Sequence, residues 1–216
     1  MNFLFDETKN TPLCEIMGRN QSDKGNIDII NNWHNYTTFY YSIFNHLREK
    51  KLRIFELGLG TNNVNIQSNM GENGRPGASL FGWSEFFPNS EIFGADIDSN
   101  ILFNTDKIKT FYCDQTNTEL IEKMWNEPLL QDNFDIIIED GLHKFDANVC
   151  FFENSIHKLK QNGYFIIEDI LNYEEDLFLN KINEWQQKYK NLLFKLLKIP
   201  SSCNKHDNTL LVVFYP

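Results

Sequence analysis

Short apolar runs alternate along this chain with longer segments whose apolar residues recur every three or four positions, a pattern that predicts strands and helices in turn. The runs at 52–57, 91–96, 109–113, 134–139 and 163–168 are rich in β-branched and aromatic residues and predict buried strands. Helical spacing covers 36–50, 78–87, 119–125, 146–160 and 174–189. In the first of these, Tyr36, Phe39, Tyr40, Ile43, Phe44 and Leu47 form one stripe. Strands separated by helices specify a parallel sheet. The final apolar runs, 192–199 and 209–215, are joined by polar residues without a helix, so they predict an antiparallel hairpin. The expected fold is α/β: a doubly wound, mostly parallel seven-stranded sheet closing in that hairpin. It forms a single domain over residues 1–216. Residues 1–35, polar and without a sustained period, read as an irregular lead-in or lid.

Composition narrows the chemistry. Nineteen Phe in 216 residues supply bulky core material. A formal charge of −10 with no basic cluster argues against nucleic acid as a partner. Cys14, Cys113, Cys150 and Cys203 form no CxxC pair, which argues against a zinc ribbon or a thioredoxin-like couple. There is no basic N-terminal region, and no apolar run nears the roughly 20 residues that span a bilayer. The expectation is a cytoplasmic protein with no membrane insertion. A homo-oligomer stays open.

The first predicted strand runs into Glu56-Leu57-Gly58-Leu59-Gly60, where a doubly wound sheet binds its ligand and glycines let that ligand approach the backbone. A nicotinamide site wants a third glycine where Asn63 stands, and the long loop after Gly60 does not open a helix at once to receive a pyrophosphate. The next strands end in Asp96-Ile97-Asp98 and Asp114-Gln115. Asp96 suits the two hydroxyls of an adenosyl ribose, and Asp114 or Gln115 suits the adenine amine; capping of the next helix is the structural alternative for these acids. Glu56, Asp98 and Glu139 complete the candidate cofactor set. The fourth and fifth strands deliver Asp140 and the pair Glu168-Asp169 to the same rim. Three carboxylates in one cleft repel, protonate or hold a hard divalent cation, and an all-oxygen set favours Mg2+ or Mn2+ over zinc.

Taken together, Ser22-Asp23-Lys24-Gly25, His34-Asn35-Tyr36-Thr37 with Tyr40, the Glu56 to Gly60 turn, Gly77-Ala78-Ser79-Leu80 with Trp83, Gly94 to Asp98, Asp114-Gln115, Asp140-Gly141-Leu142-His143 and Ile167-Glu168-Asp169-Ile170 with Tyr173 define a resemblance. The chain resembles class I S-adenosylmethionine (SAM)-dependent methyltransferases, in particular the metal-dependent O-methyltransferases of macrolide sugars and bacterial surface glycans. The resemblance implies SAM as cofactor, magnesium held by Asp140, Glu168 and Asp169, and His143 as general base acting with Asp140. It also implies a small acceptor such as a sugar, nucleotide-sugar or glycan precursor; His34, Tyr36 and Tyr173 are the candidate contacts, with packing the alternative for His34 and Tyr36. Leu142 stands where the family has a small residue, and the stretch from Gly25 to His34 is longer than the family's. Other readings are a phosphate-like or nitrogen acceptor, and a catalytically inactive SAM-binding partner.

Overall fold

The computed structural model describes residue 6 and residues 9–25 and 34–216. Its seven strands are β1 (Arg53–Leu57), β2 (Glu91–Asp96), β3 (Ile108–Tyr112), β4 (Phe134–Glu139), β5 (Leu159–Ile167), β6 (Leu193–Lys198) and β7 (Thr209–Phe214). They form one sheet in the order β3-β2-β1-β4-β5-β7-β6. The first five pair in parallel, and β7 lies antiparallel between β5 and β6, so the expected sheet and terminal hairpin are both present.

Six helices, α1 (Pro12–Arg19), α2 (Tyr36–Phe44), α3 (Ala78–Phe86), α4 (Thr118–Trp125), α5 (Phe145–Ser155) and α6 (Glu175–Lys188), divide between the sheet's two faces. Side chains alternate along each strand, so Ile54, Ile92 and Ile136 pack with α1 to α3, whereas Phe55, Phe93 and Ile137 pack with α4 to α6. Both clusters are fully enclosed, which explains the near-continuous apolar strands.

Three expectations change. The lead-in is not wholly irregular: α1 begins at Pro12, the Thr11 hydroxyl accepts from the Cys14 amide at 3.3 Å, and Leu13, Ile16 and Met17 are buried. Eight residues give too few turns to register as a period. The helix expected over 36–50 stops at Phe44 and tightens into a 3-10 turn, Asn45–Leu47. The helix expected to reach residue 160 ends at Ser155, and β5 starts at Leu159 rather than at residue 163. Residues 26–33, which make up most of the longer stretch noted before His34, lie outside the described residues.

Candidate functional site

The parallel ladder continues one residue beyond each strand. The Gly58 amide donates to Ala95, Asp140 to Leu57 and Glu168 to Glu139 through their carbonyls, so Gly58, Asp96, Asp140 and Glu168 stand side by side at the C-terminal rim. A cavity of about 770 Å³ opens there, lined by Gly58, Gly60, Asp96, Asp114, Asp140 and His143 among others. Gly58 holds φ +90°, and a Cβ on it would lie 1.8 Å from the Asp140 carbonyl oxygen. Gly60 holds φ +73°, and its Cβ would meet the Met70 sulfur at 1.9 Å. Both positions therefore require glycine.

The candidate cofactor residues separate by contact. Asp96 Oδ2 accepts from the Leu59 amide at 2.7 Å and Oδ1 from the Asp98 amide at 2.8 Å, so this carboxylate shapes the glycine turn while lining the cavity. Burial raises its pKa, opposed by those amides. Asp98 instead accepts from Thr61 and from the Asn100 amide, capping the next turn outside the cavity lining. Asp114 lines the cavity and accepts from Thr116. Gln115 donates to Glu139 at 2.9 Å and accepts from the Leu142 amide at 2.7 Å, bracing two strand ends. Glu139 keeps Oε2 without a hydrogen-bond partner, and burial lifts its pKa to about 7. Glu56 faces the other side of the sheet, fully buried, and accepts from Ser79 and the Trp83 indole.

Beside this half lies the acid cluster. Ligand atoms of Asp140, His143 and Asp169 all lie within 4.8 Å of one another. His143 Nε2 stands 3.0 Å from Asp140 Oδ1, and Nδ1 stands 3.6 Å from Asp169 Oδ2. His143 and Asp169 both adopt φ 55°, a left-handed conformation that is strained for residues other than glycine and is concentrated at functional sites. Burial pulls the His143 pKa down, but Asp169 and Asp140 outweigh it and raise it to about 10. Asp140 lies well below the usual range: its burial is overcome by Lys24 and His143. Burial raises Asp169, against the charge of the two histidines.

The sequence-predicted ligand Glu168 is not in that converging trio. It is 1% exposed, one oxygen accepting from Lys24 and the other from the Tyr40 hydroxyl, and burial raises its pKa well above normal. The physical reason is Lys24, whose ammonium is bonded to both Asp140 and Glu168 and lies 3.5 Å from Glu56. Its burial is outweighed by these carboxylates, so its pKa is raised.

Of the predicted acceptor contacts, Tyr36 is fully buried and donates to Asp169 Oδ1 at 2.7 Å and to the Asp207 carbonyl at 3.0 Å. His34 stacks on Tyr36, lines the cavity and reaches Asp169 Oδ2 at 3.4 Å. Tyr173 is 78% exposed and outside the lining. Sequence reasoning gave no role to Lys24, although it sits in a quoted motif, and it missed Asp207, which reaches the cavity from the β6–β7 connection.

No family model matches the chain. It is 29% identical over 158 residues to the 8-demethyl-8-(2-methoxy-alpha-L-rhamnosyl)-tetracenomycin-C 3'-O-methyltransferase of Streptomyces olivaceus, covering 73% of this chain and 36% of the relative. It is 29% identical over 138 residues to the mycinamicin VI 2''-O-methyltransferase of Micromonospora griseorubida, covering 63% and 32%. The chain thus spans about a third of the length of these curated relatives. Among solved structures, the MycE methyltransferase of the mycinamycin pathway, in complex with Mg and SAH, superposes with a TM-score of 0.70 at 22% identity, over 95% of this chain and 55% of that one. The SAH-bound Podospora anserina methyltransferase PaMTH1 gives a TM-score of 0.55 at 14% identity, over 99% and 89%. The chain therefore carries the class I SAM-dependent methyltransferase fold and is similar in sequence to O-methyltransferases named for tetracenomycin-C and mycinamicin.

Proposed function

We propose that the chain transfers a methyl group from SAM to a hydroxyl of a sugar or sugar-bearing small molecule, with a divalent cation at the acid cluster. The observation that carries this reading is that one cavity is lined both by the strained glycine turn and by Asp140, His143 and Asp169. The donor set suits the groups implied. Gly58, Gly60, Asp96 and Asp114, lining the cavity at the ends of β1, β2 and β3, fit a cofactor lying along the strand ends. The carboxylates of Asp140 and Asp169 suit Mg2+ or Mn2+, and the relatives are named as 3'-O- and 2''-O-methyltransferases.

SAM supplies a methyl on a cationic sulfur, and a divalent ion lowers the pKa of a nearby hydroxyl. The chain's own residues do the rest. Asp96 and Asp114 would orient the adenosyl end, the Gly58 to Gly60 turn would admit it to the backbone, and Asp140 and Asp169 would hold the ion. His143 takes the acceptor's proton at a ring nitrogen. Its carboxylate neighbours keep it protonated to about pH 10 in the ion-free chain, so a base role requires their charge to be offset. SAM, when bound, would offer its methyl carbon to that oxygen, with the carbon–sulfur bonding pair leaving on sulfur. Holding these three atoms in line supplies much of the rate.

The wall also argues about the acceptor. Asp96, Asp114, Asp140, Asp169 and Asp207 face it against Lys24 and Arg75, an excess of negative charge that disfavours a phosphate-like acceptor and favours a neutral hydroxyl. The test is a panel of deoxysugar-bearing glycosides and nucleotide-sugars assayed with labelled SAM, with and without EDTA. Methyl transfer to oxygen, abolished by EDTA and restored by Mg2+ with SAM binding retained throughout, is the expected result. Full turnover in metal-depleted protein would remove the cation, and transfer to nitrogen alone would remove the hydroxyl.

A further inference from the structure

Lys24 is a buried lysine with no counterpart in the chemistry above. It is 2% exposed, and its ammonium lies between Asp140 Oδ2 and Glu168 Oε2, with Glu56 Oε1 3.5 Å away. Its backbone is anchored as well: the carbonyl accepts from the Thr37 amide at 3.2 Å, and the amide donates to Ser22 Oγ at 3.3 Å. Asp140 consequently has one oxygen on Lys24 and the other beside His143, and both oxygens of Glu168 are taken by Lys24 and Tyr40. An ammonium thus stands where two of the three carboxylates expected to bind a metal come together. Two cations at a few ångström in a buried site repel strongly, so the same oxygens do not serve both at once.

We propose that Lys24 is an internal competitor of the divalent cation: its ammonium neutralises Asp140 and Glu168 in the ion-free chain, and the ion reaches those carboxylates only by displacing it. The inference rests on the cation reading given above. Ion binding is then an exchange of one positive charge for another, weaker than the number of carboxylates alone would give. The lysine is a positioning residue, since its ammonium bridges Asp140 and Glu168 and fixes their oxygens without touching the reacting atoms.

The experiment is a Mn2+ titration read by the loss of the free-ion EPR signal, with no acceptor or turnover involved. Lys24→Met should bind Mn2+ at least about tenfold more tightly than wild type, because the competing charge is gone. Lys24→Arg, which keeps the charge, should stay within about threefold of wild type. Should Lys24→Met fail to fold, Lys24→Gln replaces it, since its amide donates to Glu168 without carrying charge. Unchanged or weaker Mn2+ binding in a folded, neutral variant, with wild type binding measurably, overturns the competition while leaving the cation reading intact. Absence of Mn2+ binding in wild type and variants alike overturns the cation reading itself. Tighter binding that appears equally in Lys24→Arg overturns the role of charge.

Discussion

The Tyr36 hydroxyl donates to Asp169 Oδ1 at 2.7 Å, tying α2 to the end of β5 that carries the acid cluster. Tyr36→Phe keeps the ring and its stack on His34 but removes this donor. Outer hydrogen bonds of this kind fix how a ligand is presented, so turnover or Mn2+ affinity should fall by about tenfold or more. Stability should fall by about 1 kcal/mol. A Mn2+ titration and thermal melts check the two effects separately, and an unaltered site in the variant would reduce Tyr36 to packing.

Asp96 is bonded to two backbone amides, and that makes Asp96→Asn more informative than truncation. An amide side chain accepts through one oxygen only, so either the Leu59 or the Asp98 amide is left facing an NH2 group. We expect SAM affinity to drop by about 1–3 kcal/mol, with a smaller loss of thermal stability. Calorimetry that finds normal SAM affinity in the folded variant would take the ribose away from Asp96 and leave it as a turn former.

For His143, a general base and a metal ligand respond differently to His143→Ala. Loss of a positioned base lowers kcat by roughly 10²–10⁴ and leaves ion affinity nearly unchanged. With Mg2+ saturating, wild-type kcat should rise with pH through one group, and that limb should vanish in the variant. If Mn2+ affinity collapses together with kcat, the imidazole is a ligand of the ion and the base lies elsewhere.

Glu139 predicts a pH dependence of the ligand-free chain. Its folded pKa of about 7 lies above the ordinary 4.5, so the folded state keeps a proton that the unfolded chain releases first. The resulting stabilisation is complete below about pH 4.5 and is lost as pH rises through 7. It amounts to about 3 kcal/mol across that window at roughly 1.4 kcal/mol per unit. Glu139→Gln stays neutral, so its Tm relative to wild type should rise between pH 5 and pH 8. A Tm difference that does not change with pH contradicts the assignment.

The sheet was legible because each strand is buried on both faces and so reads as an uninterrupted apolar run: Ile136, Ile137 and Ile138 point alternately to opposite cores and are all apolar. The rim acids were legible for a related reason, since a polar residue ending such a run is where the chain leaves the core. What each acid does was not. Asp96 and Asp98 are two residues apart and chemically identical, yet one lines the cavity and the other caps a turn, a difference set by backbone direction after β2. Helix α1 escaped because eight residues carry too short a period, and its burial comes from α2 and α3, which are distant in sequence. Lys24 escaped because its partners lie 116 and 144 residues away.

The missing Cβ of Gly58 has a consequence for engineering. With only 1.8 Å between that position and the Asp140 carbonyl oxygen, the turn proposed to receive the donor and the turn that follows β4 are packed directly against each other. A chimera that imports the β4–α5 loop of a relative to change acceptor choice inherits a new backbone path at residue 140. Unless the Gly58 turn is exchanged with it, the graft should lose its grip on the methyl donor before it gains a new acceptor.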